Sequence, residues 1–297
     1  MKTGRLKDRI FLGSGRLIAL IIGLLVFVMV GGLLARSLPL LKTHSLGTLL
    51  LSSSWRPLKG EFGFLPYIVG TLWVTGVAMA IVVPIGLLAA VYLSEFAAVR
   101  VKRIVMPAID LLAGVPSVVF GACGVVVVVP FIRDVLAPAL GLVSSGYSVL
   151  AGSIVLAVMV FPIMINGTCE ILQTVPHDLR EAALSLGTTR WEAIKLVVLR
   201  KAAPGIITSV VLSFARAIGE TIAVLMVVGN VAHIPHGLLQ PAYPLPALIA
   251  NNYGEMLSIP LYDSALMFAA LVLLGVVVAF ELIAGVVMHG MKRSLAS

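Results

Sequence analysis

Arg216 and Glu220 are the residues whose types and spacing most invite chemistry. They lie four positions apart inside an otherwise apolar stretch, about 203–231. In a helix that spacing puts both on one face. Each costs about 2.5–3.5 kcal/mol at mid-bilayer on insertion scales. Counted from Pro204 at about 1.5 Å per residue, Arg216 falls about 18 Å along the helix, near the middle of a roughly 30 Å hydrocarbon core. Residues this costly usually face a bundle interior or a water-filled path. A guanidinium offers a fixed charge and a planar fork of donors, which suits an oxyanion. Glu220 beside it would limit how tightly the anion is held, because a transport site must also release. The competing reading is an ion pair, within the helix or to a neighbour, that only fixes packing. The hydroxyls of Thr75, Ser117, Ser213 and Thr221 could line the same path, although span hydroxyls often bond backbone instead.

The second polar feature is an insert at 175–204 between apolar runs. Asp178 with Glu181 has capping-box spacing, and so has Thr189 with Glu192. Leu179, Ala182, Ala183 and Leu186 repeat at helical intervals, and Gly187 is a natural stop. Trp191, Ile194 and Val198 mark a second apolar face running toward Pro204. The pattern predicts two short helices around Gly187, with alanines small enough to admit another surface. A pair of helices lying on lipid headgroups is the plainer alternative, but such helices carry larger apolar residues and a more basic face.

The elements that must position these groups follow from composition. The chain has 297 residues, 60% hydrophobic and 11% charged, against about 25% charged in a soluble domain. This is the composition of an integral membrane protein. Charge-free runs at 17–35, 62–94, 111–132 and 135–169, with 203–231 and 264–289, predict six spans. The fifth is interrupted by Arg216 and Glu220, and the sixth carries Glu281. With the N-terminus inside, 15 of the 21 Lys and Arg fall in inner segments and 5 in outer loops, Arg216 being the remaining one. The positive-inside rule therefore puts both termini and the 175–204 insert in the cytoplasm. The net charge of +8 reads as topology, not as a nucleic-acid footprint. The first apolar run is too long for a cleavable signal. Pro84 with Gly86, Gly114-Val115-Pro116, Pro162 and Gly219 interrupt spans, which lipid tolerates only where neighbours or water satisfy the backbone. Asp110 falls near the cytoplasmic end of the third span. An outer loop at 232–262 holds five prolines, and reads either as a receiving surface or as a rigid cap. His233 and His236 lack the companions of a metal site, and Cys123 and Cys169 read as small apolar residues.

Glu181-Ala182-Ala183-Leu184-Ser185-Leu186-Gly187 resembles the EAA loop of ABC importer permeases. That resemblance implies a coupling helix docking on a cytoplasmic ATPase, with Glu181, Ala182, Ala183 and Gly187 carrying the contact. The family pattern ends in Leu-Pro, whereas this chain has Ala203-Pro204. Two further segments, 109–119 and Arg216-Ala217-Ile218-Gly219-Glu220-Thr221, are similar to phosphate-importer permeases. Trp55-Arg56-Pro57, Phe62-Gly63 and Gly70-Thr71-Leu72 are similar to the PstC-type subunit. The resemblance implies an all-α polytopic fold of six transmembrane helices, a cytoplasmic segment at 1–16 and a permease domain at 17–297. It implies a second, PstA-type permease, an ATPase dimer that binds ATP and Mg, and an extracytoplasmic phosphate-binding protein as partners. It also makes Arg216, Glu220, Ser117 and Thr221 pathway residues for inorganic phosphate. No glycine-lysine phosphate-binding loop is present, so energy must enter from another subunit. An importer for sulfate, molybdate or another solute is the alternative, as is a stand-alone secondary transporter. An enzyme acting on a phosphorylated lipid lacks a nucleophile or metal cluster.

Overall fold

Apolar runs fold as helices because no water is available in the hydrocarbon core to satisfy an open backbone. A computed structural model describes residues 2–255 and 258–296, and shows this outcome along the chain. The side chains of residues 2–10, 12 and 291–296 lie outside the description, so Lys2, Arg5, Lys7, Arg9, Lys292 and Arg293 are placed by backbone alone.

Helix α1 (Lys2–Thr43) and a short α2 (Leu46–Leu51) lead into a hairpin of β1 (Trp55–Arg56) and β2 (Glu61–Phe62), with Trp55 opposite Phe62. Next come α3 (Leu65–Phe96), whose last turn Tyr92–Phe96 is π-helical, and the amphipathic α4 (Val99–Ala113). Then follow α5 (Ser117–Ala139) and α6 (Val149–Gln173). The insert contributes α7 (His177–Ser185) and the start of α8 (Arg190–Ile218). After α8 come the short α9 (Ile222–Val227), α10 (Leu245–Asn252) and the long α11 (Tyr262–Ala296). Six of these, α1, α3, α5, α6, α8 and α11, are long and apolar enough to cross a membrane.

The expected spans are present, but the bounds of the third, fourth and fifth move. The stretch before Gly114 is a separate helix, α4, with Arg100, Lys102 and Arg103 in its first half and Asp110 near its end. Asp110 therefore lies outside the third span. It accepts a hydrogen bond from Asn166 Nδ2 at 2.8 Å. Arg133 and Asp134, expected between spans three and four, lie inside α5, where they form a two-bond pair at 2.7 and 2.8 Å. The reversal comes later, where Gly141 and Gly146 adopt positive φ and Ser148 caps α6. The second helix of the insert does not stop near Pro204. It continues through a π turn at Ile194–Val198 to Ile218. The fifth span then ends at Ile218 rather than near 231.

Of the expected interruptions, Pro84 and Pro162 are absorbed within α3 and α6, whereas 114–116 and Gly219 break the chain. Gly86, two residues after Pro84, sets the spacing of α3 to its neighbour. A Cβ there would stand 2.8 Å from Met164 Cγ, so its absence lets α3 and α6 pack closely. Val74, Ala78 and Val82 of α3, Leu156, Val160 and Met164 of α6, and Ala217 and Ile218 of α8 form the central core. An aromatic cluster of Trp55, Phe62, Phe64, Tyr67 and Tyr262 closes the end of the bundle opposite the insert. Helix α1 packs along α11, and Arg36 lies 3.6 Å from Asp263. The rest of α1 leaves Leu20, Leu24 and Phe27 bare, as lipid contact requires.

Candidate functional site

The insert carries the first group of site residues. Gly187 has φ +84°, a left-handed conformation that a Cβ disfavours, and it makes the turn between α7 and α8. Thr189 and Glu192 form the expected capping box: Glu192 N donates to Thr189 Oγ1 at 3.3 Å, and Thr189 N donates to Glu192 Oε2 at 2.8 Å. The box expected at Asp178 and Glu181 is not formed. Pro176 occupies the cap position and leaves Asp178 inside the first turn. Glu181 instead sits 3.1 Å from His177, and both are exposed. Glu181, Ala182 and Gly187 face outward, while Ala183 is buried. Leu179, Ala182, Ala183, Leu186, Leu196 and Val197 line an apolar groove of about 290 Å³. The predicted apolar face is therefore largely open, which suits docking.

Sequence reasoning missed what holds the insert in place. Arg180 forms a two-pronged pair with Glu95: Nη2 donates to Oε1 at 2.7 Å and Nε to Oε2 at 3.2 Å. The same guanidinium donates to the carbonyls of Val175 and Leu172 at 2.6 and 2.9 Å. Both side chains are largely buried, 16% and 9% exposed, so the pair is well shielded from water. Arg190, at the start of α8, also donates to the Glu95 carbonyl and lies over the Phe96 ring, 5.0 Å from its centroid. Lys102 donates to the Ser94 carbonyl at 2.9 Å. Three helices thus fasten to one turn, Tyr92–Phe96. A lone acid ending the 62–94 run was a signal, but its partner lies 85 positions away.

The second group surrounds the break after α8. The competing reading, an ion pair of Arg216 with Glu220 on one helical face, is not what the chain adopts. Gly219 ends α8, so Glu220 leaves the helical face and helical spacing no longer applies. Glu220 is half-buried, and its Oε1 accepts from Ala223 N at 3.4 Å, at the start of α9. It borders a narrow crevice with Thr71, Thr75, Ala217 and Pro244. Thr221 donates to the Gly219 carbonyl at 3.2 Å. Arg216 is exposed in the last turn of α8 and makes no ion pair among the described residues. Ser117 begins α5, directly after the other break, and α5 packs against α9. The closeness comes from Gly121, where a Cβ would stand 3.1 Å from Ala223 Cα. The two broken segments therefore meet, which brings Ser117's helix to the helix that follows Glu220 and Thr221. Ser213 is buried instead, 3.8 Å from Met164 Sδ, and Thr75 is buried on α3.

Among the described residues, six long apolar helices with a polar helical loop on one side define a polytopic α-helical membrane protein. Over residues 82–293 the chain matches the binding-protein-dependent transport system inner membrane component family, and it belongs to that family. The phosphate transport system permease protein PstC of Mesorhizobium japonicum is 35% identical over 286 residues, 90% of this chain and 86% of that one. PstC of Haemophilus influenzae is 31% identical over 84% of this chain and 83% of its own length. The probable ABC transporter permease YqgH of Bacillus subtilis is 38% identical over 69% of this chain, and the match spans 66% of that relative. Among solved structures, the MetNI methionine ABC transporter in inward-facing conformations shares the fold, with TM-score 0.58 and 20% identity over 75% of this chain and 93% of that one. The chain is thus a multi-pass inner-membrane permease subunit and not itself an enzyme, and membership implies ATPase and substrate-binding partners.

Proposed function

We propose that this subunit moves inorganic phosphate inward by alternating access, paired with a second, PstA-type permease. An ATPase dimer would bind ATP and Mg and grip the insert through Glu181, Ala182 and Gly187, with Ala183 backing the contact. A phosphate-binding protein would deliver substrate at the opposite end. The observation that carries the substrate is Arg216, a charge exposed from its own subunit in the last turn of α8, just before the break. A single bundle has no reason to place such a costly group on an open face. Facing a second permease, it lies on the boundary where a path between subunits would run. Its fork would bind phosphate oxygens, while Glu220, Ser117 and Thr221 would border the same break. Similarity to PstC proteins over most of the chain supports phosphate rather than sulfate or molybdate. In this orientation both termini are cytoplasmic.

The test is uptake of labelled phosphate at micromolar concentration by phosphate-starved cells with and without the chain. Loss of uptake on deletion, with no competition from excess sulfate or molybdate, is expected. Undiminished uptake in the deletion strain would sink the reading.

A further inference from the structure

The Tyr92–Phe96 turn belongs neither to the coupling surface nor to the substrate path, yet it touches both through covalent and polar links. Arg180 of α7 and Arg190 of α8 fasten to Glu95 from the insert side. The turn is the last one of α3, and α3 carries Thr71 and Thr75 in the crevice that Glu220 borders. From Thr75 to Glu95 is 20 positions, about 30 Å of helix. One helix, continuous through Pro84, therefore joins the insert to the break after α8.

We infer that Glu95 and Arg180 are positioning residues that convey motion of the insert into α3, and through it to the crevice beside Glu220. Three observations favour transmission over simple bracing. First, the pair is bidentate and Arg180 also holds two carbonyls, so α7 and α3 move together instead of sliding. Second, the exposed docking residues Glu181 and Ala182 follow Arg180 directly, so a push on that surface reaches the pair within one helical turn. Third, the fastenings converge on the last turn of α3, where Ala97 N donates to the Tyr92 carbonyl at 2.8 Å, and not along its side, so they pull on the helix end. The Glu192 box and the Gly187 turn keep the insert's own shape without that pair.

This inference rests on the importer reading, and its test separates the two. The whole complex, with partner permease, ATPases and phosphate-binding protein, is reconstituted in proteoliposomes. Phosphate moved per ATP hydrolysed is then measured for the native chain, Glu95→Gln, and the double variant Glu95→Leu with Arg180→Met. The double variant leaves no buried charge unpartnered, so it guards against misfolding of the single one. Both assembled variants should keep ATP hydrolysis in the absence of binding protein. Their phosphate-to-ATP ratio should fall about tenfold, equivalent to ~1.4 kcal/mol of lost coupling. A native ratio in the assembled variants, with only the yield of complex reduced, would overturn the inference and leave a brace. A native complex whose hydrolysis ignores the phosphate-loaded binding protein would overturn the importer reading instead.

Discussion

Arg216 illustrates both the power and the limit of single residues. Its cost in an apolar stretch was legible from residue type alone, because a guanidinium cannot shed its charge. Its relation to Glu220 was not legible. Four-residue spacing implies a shared face only where the helix continues, and Gly219 ends it one residue earlier. The hydroxyls divide for a similar reason. Ser213 is buried in the packed interior and Thr75 is buried at the crevice beside Glu220, whereas Ser117 and Thr221 sit at breaks, Thr221 bonding the Gly219 carbonyl. On the proposed role, Arg216→Gln should lower phosphate transport by at least about tenfold, the factor that ~1.4 kcal/mol represents. Co-purification of the partner subunits should be unchanged. Arg216→Lys should fall between the two, since lysine keeps the charge and loses the fork. Loss of assembly in Arg216→Gln would mean that the residue serves packing.

Element boundaries were readable where local chemistry decides them. Thr189 and Glu192 satisfy one another across a single turn, so their box needs no tertiary support. Asp178 and Glu181 have the same spacing, but Pro176 takes the cap and His177 draws Glu181 away. Pro204 and Pro84 show the converse: a proline ends a helix only if its neighbours cannot supply packing, and both helices run on. The Glu95–Arg180 fastening was invisible because it joins segments whose approach depends on the folded bundle. Gly187 gives the sharpest test at this scale. A β-branched side chain at φ +84° costs about 1–2 kcal/mol, and it would reshape the turn that presents Glu181 and Ala182. Gly187→Val should lower ATPase co-purification several-fold while the chain's membrane level holds. Native co-purification would show that the turn does not set the docking surface.

At the scale of the whole molecule, one asymmetry organises everything: lysines and arginines collect at the end that bears the insert. Six apolar runs and that bias made the fold class legible, because bilayer thickness and the positive-inside rule act on sequence directly. The order of packing was not legible, since it turns on contacts such as Gly86 with Met164 and Gly121 with Ala223. Leu58, between β1 and β2, and Leu186, beside Gly187, are both strongly exposed at opposite ends. In a chain with Cys123 and Cys169 replaced, an impermeant maleimide should label Leu58→Cys in intact spheroplasts. It should reach Leu186→Cys only after permeabilisation and removal of the ATPase. The reverse pattern would invert the topology.

The most direct measurement places the reconstituted complex in proteoliposomes, with phosphate-binding protein and labelled phosphate on the outer face and ATP with Mg within. Label should accumulate against its gradient only when ATP, the binding protein and this chain are all present, and excess sulfate should leave the rate unchanged. Equal accumulation without ATP, or by this chain alone, would contradict the account.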